Sequence, residues 1–291
     1  MIGKFNWFVF SKIKMKILSL IFFGFFVISS CAQKTYQLSD QLKEISGLEL
    51  YKDSIFFAIN DGGNKNVVYI LSKKMELLKT VEISDVKNHD WEALALDEKY
   101  LYIGDIGNNL NNRKNLQIHR ISIKRLLEKT KASPETMQIS YAEQRNFPPA
   151  EKSMYFDAEA MISHNGKLWI FTKNRSKPFD GKSLVYSVEF SPGANKTIKK
   201  SFELISGKGG WLLDSFTGAA SFNDYVYLLT YTKIIRYKWK GNTLQKVDEK
   251  SFPGYAQTEG ISLSSQGQIY VANEAHKWLG RQKIQQIQWK K

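Results

Sequence analysis

"HDWEALALDEKYLYIGDIGNN" runs from His89 to Asn109 and contains two short apolar runs set back to back. Glu92 stands before the first run and Asp105 closes the second. Between them "DEK" supplies a tight polar turn, so the stretch reads as a β-hairpin whose strands are rich in β-branched and aromatic residues. A carboxylate at the mouth of a core strand is costly unless something compensates it. The rest of the chain shows whether the placement recurs.

It recurs four more times. "EISGLELYKDSIFFAIND" spans 44–61, "DAEAMISHNGKLWIFTKN" spans 157–174, "SFTGAASFNDYVYLLTY" spans 215–231 and "QTEGISLSSQGQIYVANE" spans 257–274. Each copy has a polar residue, a strand with small residues, a polar turn and a strand of Tyr, Phe, Trp, Val and Ile. The intervals hold two further strand-like runs per copy, among them "NVVYILSKK", "NLQIHRISI", "SLVYSVEF" and "IIRYKWK". The charged stretch from Lys124 to Lys131 is expected to form a short helix. After the fifth hairpin only "KIQQIQWKK" remains, one strand short. A spare strand, "KTYQLSD", lies at the other end, from Lys34 to Asp40.

Five units of four strands define an all-β, five-bladed β-propeller, with the N-terminal strand expected to complete the last blade and close the ring. A six-bladed ring would need a sixth hairpin, which the sequence does not contain. In a propeller the first strand of each unit lines the central channel. Ser46, Glu92, Glu159, Thr217 and Glu259 therefore converge at one mouth of it. Three carboxylates and two hydroxyls in one place raise each other's pKa values or demand a cation. An oxygen-only donor set selects a hard cation, and Ca²⁺, with six to eight oxygen ligands, fits better than Mg²⁺.

The second strands end on the same face. This brings Asp61, Asp105, Lys173, Arg175, Tyr231 and Glu274 to the rim, and the following loops add Asn109 and Arg113. Asp105 or Glu274 could accept a proton from an attacking water. Asp61, Asn109, Arg113, Lys173, Arg175 and Tyr231 could hold a phosphorylated or other anionic small molecule, or a glycan. A pure turn role serves "NDGG" and "GDIGNN" equally well. Trp91, Trp169 and Trp211 are expected in the core.

The chain has 291 residues, 43% apolar and 13% aromatic, a globular composition. Residues 1–30 are set apart from a single domain over 31–291. Lys12, Lys14 and Lys16 precede the apolar run Ile17 to Ile28, and "ISSC" ends at the single cysteine, Cys31. This is a secretory signal whose "VISSCA" matches a bacterial lipobox, with translation starting at Met1 or Met15. Cys31 would then carry lipid, placing a monomer on the bacterial outer membrane or cell surface. No disulfide could form within the chain. The signal holds four lysines and no acid, which leaves 38 basic against 28 acidic side chains, about +10. The excess is dispersed, so nucleic-acid binding is not supported. The four histidines share no ligand spacing, there is no G-x-S-x-G elbow, and "GDIGNN" opens no helix as a phosphate loop would.

The order Ser, Glu, Glu, Thr, Glu at the heads of the inner strands resembles the soluble calcium-activated nucleotidases (apyrases), five-bladed propellers with a central Ca²⁺. "WEALALDEKYLYIG" and "TEGI" carry the likeness. The chain departs from that pattern at Gly47, where the nucleotidases have an acidic residue after the first Ser. In "EISGL", "NDGG", "DWEALAL", "GDIGNN", "DAEAM" and "TEGI" it also resembles the bacterial exported propellers grouped as SdiA-regulated or phytase-like. These resemblances imply a central Ca²⁺ and either phosphate-ester hydrolysis or a non-catalytic binding and scaffold role in which the metal is structural.

Overall fold

The computed structural model describes residues 34–252 and 257–289. Residues 1–30, expected to be a signal, and Cys31 lie outside the described residues. Five antiparallel sheets form the five blades of a β-propeller. Blade 1 consists of Ile45–Tyr51, Ile55–Asn60, Val67–Ser72 and Leu77–Ile83. Blade 2 consists of Trp91–Leu96, Tyr100–Asp105, Leu116–Ser122 and Glu135–Tyr141. Blade 3 comprises Asp157–His164, Lys167–Lys173, Lys182–Val188 and Lys200–Ile205. Blade 4 comprises Phe216–Phe222, Tyr225–Thr230, Lys233–Lys240 and Thr243–Ser251. Blade 5 holds Thr258–Leu263, Ile269–Asn273 and Lys283–Ile287. Its fourth strand is Thr35–Gln37, which pairs antiparallel with Lys283–Ile287 and places Tyr36 opposite Ile284.

Burial follows position in the blade. The first two strands of each blade are buried along most of their length because each is packed between neighbouring blades. Leu77–Ile83 alternates exposed and buried residues, as expected for an outer strand with one wet face. Each blade junction holds its own apolar cluster. Phe57, Ile59, Trp91 and Ile103 join blades 1 and 2. Tyr102, Ile118, Met161 and Tyr186 join blades 2 and 3. Phe171, Phe216 and Leu228 join blades 3 and 4, and Tyr227, Leu229, Ile261 and Val271 join blades 4 and 5. Leu48, Phe56, Tyr270 and Ala272 pack blade 5 against blade 1.

The hairpin turns carry the residues their geometry requires. Asn165 and Gly166 both have left-handed φ, 51° and 73°, the pairing a two-residue turn of this hand demands. Two outer edges are covered by chain from the following unit. Lys131–Ala132 adds parallel to blade 1, and Asn195–Ile198 adds parallel to Glu135–Tyr141 in blade 2. Covered edges are protected against pairing with other chains. The charged stretch after blade 2's third strand forms the expected short helix, α1, Ile123–Glu128.

Candidate functional site

The five residues expected at the mouth share a backbone feature. In blade 1, Ile45 pairs with Asn60 and Gly47 with Ile59, so Ser46 is passed over in the ladder. Glu92, Glu159, Thr217 and Glu259 are passed over in the same way. Each is the extra residue of a β-bulge. A bulge leaves its residue unpaired and re-aims the side chain, here at the same point in all five inner hairpins. Below this layer, Leu48, Leu94, Met161, Ala219 and Ile261 line the channel and leave a space of only about 10 Å³. The carboxylates therefore sit in a shallow well with an apolar floor.

The residues that end the second strands form an outer layer in register with the bulges: Asp61, Ile106, Lys173, Tyr231 and Glu274. Comparison of blades 2 and 3 shows what this layer does. Both blades carry an Asp-x-Glu at the head of the inner strand, Asp90 and Glu92 in one, Asp157 and Glu159 in the other. In blade 3 each carboxylate has a cation. Lys173 Nζ lies 2.5 Å from both oxygens of Glu159, and Arg175 Nε donates to Asp157 Oδ2 at 2.8 Å. Burial works against the Lys173 ammonium, but Glu159, with Glu259 and Asp157, more than offsets it and keeps its pKa above the ordinary value. In blade 2 the positions equivalent to Lys173 and Arg175 are Ile106 and Asn108, so Asp90 and Glu92 lack that compensation.

Asp61 joins them. Carboxylate oxygens of Asp61, Asp90 and Glu92 lie within 4.8 Å of one another. The nearest guanidinium to Asp90, that of Arg113, stands 3.9 Å away. Burial, Glu159, Asp61 and Glu259 push the Glu92 carboxyl well above its usual range. Burial, Asp61 and Asp157 push Asp90 up to about 7. The backbone is shaped around Asp90. A Cβ on Gly62 would meet Asp90 Oδ1 at 2.5 Å, and one on Gly107 would meet Asp90 Oδ2 at 2.5 Å and Glu92 Cγ at 2.6 Å. "NDGG", "HDWE" and "GDIGNN" thus meet at a single carboxylate, and the two glycines make the cradle it occupies. This all-oxygen set of three clustered acids, with no cation equivalent to blade 3's, fits a hard divalent ion. Asp90 was missed from the sequence. The one signal available was its i, i+2 spacing from Glu92, repeated at Asp157 and Glu159.

The remaining candidates divide into those with a face on the well and those that support it. Ser46 Oγ donates to Trp91 O at 2.7 Å and Thr217 Oγ1 to Thr258 O at 2.6 Å, so both hydroxyls tie their blade to the next. Glu259 accepts from Tyr231 Oη at 3.2 Å, and Lys173 Nζ donates to Tyr231 Oη at 2.7 Å. Glu274 shares a hydrogen bond with Glu259. Burial and that neighbour raise its carboxyl to about 10. Asp105 is fully buried and accepts from His89 Nδ1 (3.1 Å), the Asp90 N–H (3.1 Å) and Arg113 Nη2 (2.6 Å). Enclosed in this way, its carboxylate holds the Asp90 backbone and the Arg113 guanidinium in place and exposes no surface to solvent. Arg175 also donates to Asn109 Oδ1 and reaches Glu159 at 3.3 Å.

Gly47 has no room for a side chain. A Cβ there would stand 2.9 Å from Ile59 Cγ1 and 3.0 Å from Leu94 Cγ, so the acidic residue of the nucleotidase pattern cannot be accommodated. Trp91 and Trp169 are buried as expected. Trp211 is not: it is 45% exposed, and its ring lies 5.6 Å from the Arg175 guanidinium at the rim.

Comparison with known proteins supports the architecture. No family model matches the chain, and no curated protein does. Among solved structures it is similar to the glutaminyl cyclase of Myxococcus xanthus, with a TM-score of 0.52 and 13% identity over 87% of this chain and 94% of that one. A glucose dehydrogenase gives a TM-score of 0.50 and 8% identity over 88% of this chain and 100% of that one. At these identities the likeness is one of fold. It defines the class as a β-propeller, here five-bladed with an acidic channel mouth. Neither the nucleotidase nor the phytase-like resemblance gains a matching relative.

Proposed function

We propose that the channel mouth is a divalent-cation site, filled by Ca²⁺, at which an exported, lipid-anchored propeller hydrolyses a phosphorylated or other anionic small molecule. The observation that carries this reading is the contrast between the two Asp-x-Glu blades. Blade 3 neutralises its acids with Lys173 and Arg175, whereas blade 2 and Asp61 leave three carboxylates clustered around a glycine-built cradle. Asp61, Asp90 and Glu92 would hold the ion, with Glu259 closing the well. The ion would supply the charge that lets an anion approach so many carboxylates, and would polarise one of its oxygens. Arg113 and Arg175 flank the approach. Glu274, beside Glu259, would give a proton to a leaving group.

A second reading has its own support. Lys173, Arg175 and Arg113 are each engaged by carboxylates already. That arrangement suits a binding or scaffold propeller in which the cation only fastens the mouth. A phosphate-release screen of nucleotides, phytate and sugar phosphates, with Ca²⁺ and with chelator, separates the two. Hydrolysis predicts Ca²⁺-dependent turnover that Glu274→Gln reduces at least about a hundredfold without lowering the melting temperature. Silence across the panel with Ca²⁺ bound would favour the scaffold reading. Lipid anchoring is tested separately, by the mass of the mature protein and its loss of lipid in Cys31→Ser.

A further inference from the structure

We propose that the face opposite the channel mouth is a docking surface for an anionic lipid bilayer, so that the acidic well points away from the membrane. The inference extends the lipid-anchor reading and is tested independently of it. Strand direction defines the face. Inner strands begin at the bulge layer and run away from it, and second strands return, so every inner-hairpin turn lies on the far side. The N-terminal strand begins there too. It runs antiparallel to Lys283–Ile287, and Lys34 O accepts the Gln286 N–H at 2.8 Å, near that strand's far end. Lys34 is three residues after Cys31, and three residues of chain reach at most about 10 Å. A lipid on Cys31 would hold this face, rather than the mouth, next to the headgroups.

The chemistry of the face matches. Lys34, Lys52, Lys73, Lys74, Lys99 and Lys124 are all exposed there, on blade 5's edge and the turns of blades 1 and 2. Two acids on the same turns are drawn into hydrogen bonds. Asp53 Oδ1 accepts from the Ser265 N–H at 2.8 Å. Asp97 accepts from the N–H groups of Lys99 and Tyr100 and from the Tyr102 hydroxyl. Glu76, Glu98 and Glu128 remain exposed among the lysines. Between blades 1 and 2 lies a groove of about 430 Å³ lined by Tyr51, Tyr100 and Leu127 together with Lys99 and Lys124, and by Glu98 and Glu128. Leu127 projects from α1 at 41% exposure. Lysines around tyrosines and an exposed leucine form the composition that settles at a headgroup boundary.

Residues 33–291 form a compact unit, so the propeller without Cys31 is the protein to use. It is expected to cosediment with phosphatidylcholine vesicles containing phosphatidylglycerol, and not with phosphatidylcholine alone. Lys73→Glu, Lys74→Glu and Lys124→Glu together should weaken that binding at least about tenfold. Lys114→Glu, Lys208→Glu and Lys277→Glu on the mouth face should leave it as in wild type. Hydrogen exchange on wild type bound to vesicles should show new protection at 97–100 and 122–128, a readout that does not require the variants to fold. Equal binding to both vesicle types, equal loss from both triple variants, or protection confined to the mouth loops would each overturn the proposal. Failure of Cys31 to carry lipid would leave these readouts unchanged and would count only against the anchor.

Discussion

Gly107 shows how little separates the acidic pocket from an ordinary turn. Its missing side chain leaves the space that the Asp90 carboxylate fills, and a methyl group there would sit 2.5 Å from that carboxylate. Gly107→Ala should therefore displace Asp90 and weaken Ca²⁺ binding about ten- to a hundredfold by titration calorimetry, the range seen when groups that orient a metal's ligands are lost. Unchanged affinity would mean that Asp90 is not a ligand. Lys173 is the converse case, a residue that supplies the positive charge itself. Lys173→Met leaves the buried Glu159 with only Arg175, at 3.3 Å, and should cost about 3 kcal/mol in urea unfolding. Adding Glu159→Leu should recover most of that loss, and a double variant as unstable as the single would refute the pairing. The carboxylates also fix a pH dependence. Asp90 is raised to about 7 and Glu274 to about 10, whereas in the unfolded chain both titrate near the ordinary carboxylate value. Between those limits the folded state binds more protons than the unfolded state, so stability of the metal-free protein falls as pH rises from 5 to 8. The loss is about 1.4 kcal/mol for each pKa unit crossed by a fully enclosed group, and less for Asp90, which keeps some solvent contact. Urea midpoints in chelator should drop across that range and recover with Ca²⁺. A midpoint that rises instead would show that these groups are ionised at no cost.

The hairpin was legible in the sequence because its two signals are local. Short apolar runs rich in β-branched and aromatic residues mark the strands, and "KDS", "DEK", "HNGK", "FND" and "SQGQ" mark the turns. The bulge was not legible, since a skipped residue exists only relative to its partner strand: nothing in "DWEAL" says that Glu92 has no opposite number while Ala93 pairs with Gly104. The same limit hid Asp90, whose cradle is built from Gly62, in the loop after blade 1's second strand, and Gly107, in the loop after blade 2's. It also reversed the expected burial of Trp211. That residue lies on a single helical turn, Trp211–Asp214, whose buried residue is Asp214, held by Lys233 at 2.8 Å and by the Gly209 N–H, leaving the apolar side chains outside. The N-terminal strand belongs to this scale as well. Leu38 is buried, and its N–H donates to Gln282 O at 3.2 Å. Deleting residues 34–38 should lower amide protection of Lys283–Ile287 at least about tenfold by hydrogen exchange, because the strand's outer partner is gone. Protection that stays at the full-length level would mean that Thr35–Gln37 contributes no pairing in solution.

For the whole molecule, the five-fold repeat explains why charged and polar side chains gather at one mouth of the channel. Five apolar blade junctions position the five bulges, and the bulges bring their side chains together over an apolar floor. A ring in which every blade carried Asp-x-Glu would be too acidic to fold without several ions. This chain instead balances one side with Lys173 and Arg175 and leaves the other, at Asp61, Asp90 and Glu92, without an equivalent cation. The most direct measurement is the melting temperature of wild type and Asp90→Asn at neutral pH in chelator and after return of Ca²⁺. Wild type should melt several degrees lower in chelator and recover fully with Ca²⁺, whereas Asp90→Asn should melt at one temperature in both. A wild-type melting temperature indifferent to chelator and Ca²⁺, or a full Ca²⁺ response retained by Asp90→Asn, would contradict the site.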